Sequence, residues 1–504
     1  MRSAPPPAAL PAPAPASAPA ALSQAFRLAS PRVSPRPTPV SSLIIHGGIV
    51  ALWLALFARA FLGDGPLAWS IGIAYAGYDA FLLAFVAWRT LPLARAAAPP
   101  AARSVARPSL GVVIAAHNEA GSLPVTLAAL FAQTDPPQQI LIADDGSTDA
   151  TAAVLEDAFG FEAPEIGAIS PPSPARRSLR WLRLPHGGKA RALNAAILQL
   201  DTEIVLTVDA DTLLAPTAIA AMRAAFGAEP DLVAATGILT PKCRGGALAA
   251  VLEWFQRYEY IRSFMSRYAY MSVGSLLLVS GAFAGFRRAA LVAIGGFDPQ
   301  CLVEDYELIH RFHRTAVERA LPWRVQVIGA ARATTDAPAA IGAFLNQRRR
   351  WFGGFLQTQY WNRDMVGDRR FGLLGTLMLP IKAFDTMQPI FGLTAFGFLL
   401  AFAIGGRLTL VDFAFGTIGV KILIDLAAHL WTIHLYRRWT GDRSGSSIGY
   451  AALAVFVEPF SFQLLRHAGA AWAWLSFLTG RQRWGTNSRA RADDPLKTPD
   501  PAAR

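Results

Sequence analysis

The pattern of apolar and polar positions divides the chain into blocks. Residues 1–42 are rich in Pro and Ala, with scattered Arg and no apolar period. Such a stretch buries too little surface to fold, and a disordered tail is expected. The first apolar run begins only at Leu43, too far along for a secretory leader. Residues 43–62 and 67–88, within a block 43–92, are each near the ~20 residues that a spanning helix needs. From 108 to 360 the pattern changes to short apolar runs that end on polar residues. "LGVVIAA" (110–116), "QILIAD" (139–144) and "EIVLTVD" (203–209) read as buried strands, with helical stretches over 121–133, 149–158 and 189–200 between them. Strand and helix in alternation predict an α/β domain with a mostly parallel, Rossmann-like sheet and ligands at the strands' carboxyl ends. Beyond it, over 371–480, the chain turns apolar again. Residues 371–385 read as an interfacial segment broken at Pro380, and 386–404 and 409–435 as spans. The stretch 448–479 is interrupted by Glu458-Pro459 and Arg466-His467 and is too short for two spans, so a re-entrant or interfacial hairpin is expected. No internal repeat is evident, which argues against a secondary transporter.

Composition agrees with this division. The 504 residues exceed one typical domain. With 53% apolar residues, 16% charged residues and a mean hydropathy of +0.32, a soluble domain joined to membrane helices fits best. The net charge of +12 suits either nucleic acid or the positive-inside bias of membrane proteins. Arg89, Arg95, Arg103 and Arg107 follow the second apolar run, and Arg437, Arg438 and Arg443 follow a later one. Most of the charge therefore sits beside spans, and no nucleic-acid partner is expected. The same bias places the block 108–360, the tail and the basic segment 481–504 on the cytoplasmic side of an inner membrane. The two cysteines, Cys243 and Cys301, have neither metal-ligand spacing nor the numbers of a disulfide framework.

The chemistry-bearing residues sit at strand ends. Asp144-Asp145-Gly146 closes the second strand, although "DDGSTD" also reads as a turn and helix cap. Asp209-Ala210-Asp211 closes a later one. Carboxylates at i and i+2 around a strand end can turn onto one Mg²⁺ or Mn²⁺, which favour oxygen ligands. Gly187-Gly188-Lys189 opens a helix, as a phosphate contact or as a plain glycine turn. Glu304-Asp305 begins another helix, either as a general base or as acids favoured by the helix dipole. Helix 253–271 offers Trp254 and Tyr258 for stacking, though packing under the sheet or on the membrane is the better explanation of either residue alone. Asp425 and His429, one turn apart in a predicted span, line a path or bond to each other.

In order the chain shows "AAHNE" (115–119), "DDG" (144–146), "GKARALN" (188–194), "DAD" (209–211), "SGAFAGFRR" (280–288), "GGFDP" with "VED" (295–305) and "QRRRW" (347–351). This ordered set resembles the membrane-integrated family 2 glycosyltransferases, the group of cellulose, hyaluronan and poly-N-acetylglucosamine synthases. The resemblance covers roughly residues 108–360. It implies a GT-A-type domain inserted between transmembrane helices. It also implies an inverting hexosyl transfer from a nucleotide-diphosphate sugar, UDP-linked by resemblance, onto a growing polysaccharide. His117, Asn118 and Glu119 stand where the family meets the nucleotide. Asp144 and Asp145 match its uridine-side carboxylates, Lys189 its diphosphate-side lysine, and Asp209 and Asp211 its metal pair. Asp305 matches the catalytic base of the family's T-E-D, here V-E-D, with Glu304 beside it. Gln347, Arg350 and Trp351 match the acceptor and diphosphate side. "SGAF" replaces the cysteine-containing form of the cellulose enzymes and argues against cellulose. Arg348 and Arg349 are not fixed by the signature, and a positive-inside role is open for both. The implied partners are the donor, a glycan or lipid-linked acceptor, membrane lipids and polysaccharide-export subunits. Single-sugar transfer to a lipid and a non-catalytic export or scaffold role are the alternatives.

Overall fold

The computed structural model describes residues 18–63, 65–95, 106–441 and 448–480. The tail up to residue 17, Arg103, Arg443 and the basic segment 481–504 lie outside the described residues. The first described element, α1 (Ala18–Ala29), corrects the expectation that all of 1–42 is disordered. Its apolar Leu22 and Phe26 find a partner surface in the catalytic domain, which local composition does not report. Two apolar helices follow, α2 (Val40–Leu62) and α3 (Ser70–Thr90), then a short turn α4 (Pro92–Arg95).

The sheet domain opens with β1 (Leu110–Ala116), α5 (Leu123–Phe131), β2 (Gln139–Asp145), α6 (Thr151–Phe159), β3 (Leu179–Leu184), α7 (Lys189–Leu198) and β4 (Ile204–Asp209). Every expected strand and helix of this half is present. β1 pairs in parallel with β2 and β4, and β2 in parallel with β3. Leu110, Val112, Val113 and Ile114 have no exposure at all, as expected for parallel strands covered on both faces. The second half adds β5 (Thr212–Leu214), α8 (Ala218–Ala228), β6 (Leu232–Lys242), α9 (Ala247–Met271), β7 (Phe283–Arg287), α10 (Arg288–Ala293), α11 (Glu304–Glu318), β8 (Arg324–Asp336) and α12 (Ile341–Trp361). The eight strands run in the order β3-β2-β1-β4-β7-β6-β8-β5, and β7 joins the halves by antiparallel pairing to β4 and β6. The sheet is therefore mixed, with its parallel half carrying the polar strand ends.

The chain then enters α13 (Leu379–Ile404) through a π-turn at Leu374–Met378. Pro380 stands two residues past this π-turn and the helix continues through it, so the expected break there does not occur. α14 (Leu408–Thr440), α15 (Ile448–Val457) and α16 (Phe462–Leu478) complete the described chain. Among the described residues, three helices are long and apolar enough to cross a membrane, Val40–Leu62, Gly65–Arg95 and Leu374–Ile404, or four if the bent pair Ile448–Phe460 and Phe462–Leu478 is one span. α14 is not among them, although a span was expected over 409–435. Lys421 sits mid-helix and pairs with Asp79 of α3 and with Asp425. α15 and α16 meet at a 47° bend, a geometry shared by a broken span and by the expected re-entrant hairpin.

Candidate functional site

The site assembles where β1, β2 and β4 end. The chain leaves β1 through His117-Asn118-Glu119. Asn118 adopts φ +59°, a left-handed conformation that Asn tolerates. Its Oδ1 accepts from the backbone N–H of Thr148 at 2.7 Å and of Asp149 at 3.2 Å, which holds the loop after β2. Glu119 is buried and accepts from Ser122 Oγ at 2.5 Å. Asp144 accepts from Ser147 N–H at 2.9 Å, the turn geometry that "DDGS" also allowed. Asp145 reaches across instead. Its Oδ1 accepts from Gly187 N–H at 2.7 Å and its Oδ2 from Gly188 N–H at 2.9 Å. One carboxylate thus fixes the glycine loop that presents Lys189.

Sequence reasoning missed His186. His117 and His186 both donate Nδ1–H to the Asp145 carbonyl, at 2.9 and 3.0 Å, and their rings stack with centroids 4.4 Å apart. A carbonyl oxygen only accepts, so Nδ1 carries the proton in each ring. The available signal was position: His186 directly precedes Gly187-Gly188. Among the described residues, His117, Asp145 and His186 are close enough to share an ion. However, two of the three donors are imidazole nitrogens, whereas Mg²⁺ and Mn²⁺ favour oxygen ligands. The oxygen-rich alternative is Asp209 and Asp211. Both are partly exposed and flank the buried Ala210 where β4 turns towards β5. That donor set fits a hard divalent cation with ligand positions left for phosphate.

Lys189 binds the motifs together. Its Nζ donates to Asp209 Oδ1 at 2.5 Å and stands 3.8 Å from Glu304 Oε1. Burial alone would lower its pKa, but the Asp209 and Glu304 carboxylates outweigh it and hold the ammonium above the usual lysine range. Burial pushes Glu304 up, Lys189 opposes this, and Asp305 adds to it. Arg350 also favours the charged form of Glu304. Asp305 begins α11. Its Oδ2 accepts from Gly281 N–H at 2.7 Å and its Oδ1 from Tyr306 N–H at 2.8 Å. A Cβ at Gly281 would stand 3.1 Å from Asp305 Oδ2, which explains glycine in "SGAF".

The arginine run of α12 separates into distinct roles. Arg348 is bidentate with Glu259 of α9 at 2.6 and 2.8 Å, and its guanidinium lies 4.8 Å from the Trp351 ring centre. Arg349 lies over Trp472 of α16 at 4.4 Å. Both are packing contacts with named partners. Gln347 Oε1 is buried without a hydrogen-bond partner. The other candidates lie outside the site. Tyr258 is buried against His429, and Trp254 donates to the Tyr450 carbonyl at 3.1 Å. Asp425 pairs with Lys421 and not with His429, whose ring nitrogens have no hydrogen-bond partner.

Comparison with known proteins agrees with this geometry. Residues 111–295 match the model of Glycosyl transferase family 2, and residues 204–433 that of Glycosyl transferase family group 2. The poly-beta-1,6-N-acetyl-D-glucosamine synthase of Staphylococcus epidermidis is 28% identical over 257 residues, 49% of this chain and 54% of that one. The synthase of the same name from Staphylococcus aureus is 26% identical over 244 residues, 48% and 53% of the two chains. The chain thus spans about half the length of the curated relatives it matches. A mannosyltransferase from Pyrobaculum calidifontis, solved with GDP-Man and Mn²⁺, shares the fold with a TM-score of 0.51 at 21% identity, covering 78% of this chain and 99% of that one. Two overlapping family matches, and a mostly parallel GT-A-type sheet flanked by apolar helices, place the chain in the family 2 glycosyltransferases.

Proposed function

We propose that the chain is an inverting membrane glycosyltransferase that moves a sugar from a nucleotide-diphosphate donor onto a growing polysaccharide. The observation that carries this reading is the junction of Lys189, Asp209 and Glu304 beside Asp305, which joins three separate motifs at the strand ends. The Staphylococcus synthases, whose names state a polymer, favour chain growth over single transfer. The loop from β1, together with Asp144 and Asp145, frames the nucleoside. Lys189 and Arg350 face the diphosphate. Asp209 and Asp211 are the residues that would hold Mg²⁺ or Mn²⁺, which supplies further positive charge to the leaving group when bound.

The transfer needs one base and no protein nucleophile. Asp305 takes the proton of an acceptor hydroxyl. The acceptor oxygen bonds to the anomeric carbon as the bond from that carbon to the diphosphate oxygen breaks. The electron pair leaves with the nucleoside diphosphate, where Lys189 and Arg350 meet the developing charge. Lys189, which donates to Asp209 in the structure, then shares itself between Asp209 and the phosphate. Trp351, backed by Arg348 on one side, offers its remaining surface to a sugar ring. The predicted inner-membrane placement with a cytoplasmic site rests on the arginines that follow the spans.

The test is turnover on membranes carrying the full chain, with a panel of labelled nucleotide sugars and Mg²⁺ or Mn²⁺. Nucleoside diphosphate release and product size are followed together. A long product supports the polymer reading. A short, lipid-extractable product replaces it with single transfer. No release from any donor, with the chain folded and nucleotide bound, refutes the catalytic reading.

A further inference from the structure

The segment before the first apolar helix is fastened across the back of the catalytic domain. α1 lies against α10, α11 and α7, and the last of these begins with Lys189. Its closest approach is at Gly295, where a Cβ would stand 2.2 Å from the Phe26 backbone nitrogen and Cα. Gly295 also has φ +87°, so glycine is required there twice over. The chain then delivers Arg32 to Asp298. Nε donates to Asp298 Oδ2 at 2.7 Å, Nη2 to Oδ1 at 3.0 Å, and Nη1 to Gln300 Oε1 at 3.0 Å. Asp298 has no exposure, so Arg32 supplies the cation that its buried carboxylate requires. The guanidinium also lies 5.6 Å from the Phe26 ring centre and 5.8 Å from that of Trp361. Further along, Arg36 pairs with Glu318 at the end of α11, and Thr38 accepts from Arg363 at 2.8 Å.

Asp298 and Gln300 belong to the loop 295–303, which leads directly into Glu304 and Asp305. That loop is held from several sides. Asn194 of α7 exchanges hydrogen bonds with Phe297, each at 2.8 Å. Arg311 donates to the Ile294 and Gly296 carbonyls at 2.7 and 2.6 Å. Gln357 of α12 accepts from Leu302 N–H at 3.1 Å. All of these come from within the sheet domain. Arg32 is the clamp that comes from outside it, from the segment that leads into the first apolar helix.

We propose that Arg32 is a positioning residue for transfer. Through Asp298 it fixes the loop 295–303 and therefore the place of Asp305 at the start of α11. The strap of residues 18–38 thus makes the geometry of the base depend on a segment that precedes the first apolar helix. This inference rests on the assignment of Asp305 as base, so its test includes a readout that needs no turnover.

The experiment uses the full chain in membranes, comparing wild type with Arg32→Ala, Arg32→Lys and Phe26→Ala. Three quantities are read: hydrogen exchange across 295–305, the Kd for the nucleoside diphosphate, and the donor KM and kcat. In Arg32→Ala, exchange across 295–305 is expected to rise at least tenfold. kcat is expected to fall about tenfold, because small displacements of a reacting group are costly. KM and Kd are expected to stay within about twofold, because the Asp145 and glycine-loop bonds do not involve the strap. Arg32→Lys should recover part of kcat, since it restores the charge without the fork. Should Arg32→Ala fail to fold, Phe26→Ala, which keeps the ion pair, is expected to raise exchange at the same loop by a smaller factor. Unchanged exchange at 295–305 overturns the proposal, whether or not the chain is active. Increased exchange with kcat unaltered in an active enzyme also overturns it. A uniform loss of protection across the whole sheet reduces Arg32 to a purely structural role.

Discussion

At the scale of single residues, the site is organised by carboxylates that hold backbone. Asp145 fixes the glycine loop, and Asp305 is itself fixed by Gly281 N–H. Motif order identified these positions, but it did not say which acids are structural scaffolds. The turn reading of "DDGS" holds at Asp144, whereas Asp145 reaches across to the glycine loop. Gly281 yields a sharp prediction. Gly281→Ala places a methyl 3.1 Å from Asp305 Oδ2, so the carboxylate must shift by a few tenths of an ångström. kcat should fall roughly ten- to hundredfold with nucleotide affinity unchanged. Steady-state kinetics beside direct nucleotide binding checks this, and a loss of affinity equal to the loss of kcat would point instead to collapse of the donor pocket.

At the scale of elements, the parallel half was readable because strands buried on both faces leave continuous apolar runs ending at acids. The expected strands over 110–116, 139–144 and 203–209 match β1, β2 and β4 to within a residue. α1 was not readable, because its partner is Gly295, far along the chain, and its own composition resembles disorder. Trp254 and Tyr258 were equally opaque, since a periodic aromatic face looks the same whether it meets a sugar or a neighbouring helix. α11 carries a consequence for pH. His310 is buried, and burial lowers its pKa from 6.5 to about 3, with the Tyr306 carbonyl opposing and His313, Arg314 and Lys382 reinforcing the shift. A histidine held neutral in the fold contributes stability that is present in full above its unfolded pKa. That stability is lost as pH falls from about 6.5 towards about 3. His310→Gln cannot take up a proton and can still donate to the Tyr306 carbonyl. Its stability should therefore fall less steeply with acid than that of wild type, by on the order of 1 kcal/mol per pH unit across that window. Denaturation series at several pH values measure the two slopes, and equal slopes would remove His310 from the account.

At the scale of the whole molecule, the catalytic domain is tied to the apolar helices on two sides. The strap reaches α2 after clamping α11. On the other side, Arg348 of α12, Glu259 of α9, Arg466 of α16 and Glu458 at the bend between α15 and α16 form a chain of ion pairs, with Arg262 closing on Glu458 at 2.5 Å. Charges that sequence alone left as a positive fringe are thus partly internal fastenings. The apolar blocks were legible by length, but the ion pairs that fasten their junctions were not, because partners far apart in the chain leave no local pattern. In the proposed function, these contacts at every scale hold one base, Asp305, beside the junction of Lys189, Asp209 and Glu304. The direct test is to measure nucleotide binding and single-turnover transfer in parallel for wild type and Asp305→Asn. The account predicts an unchanged Kd and a transfer rate lower by about a thousandfold. Near-normal transfer in the variant, or a loss of binding that accounts for the loss of rate, would contradict it.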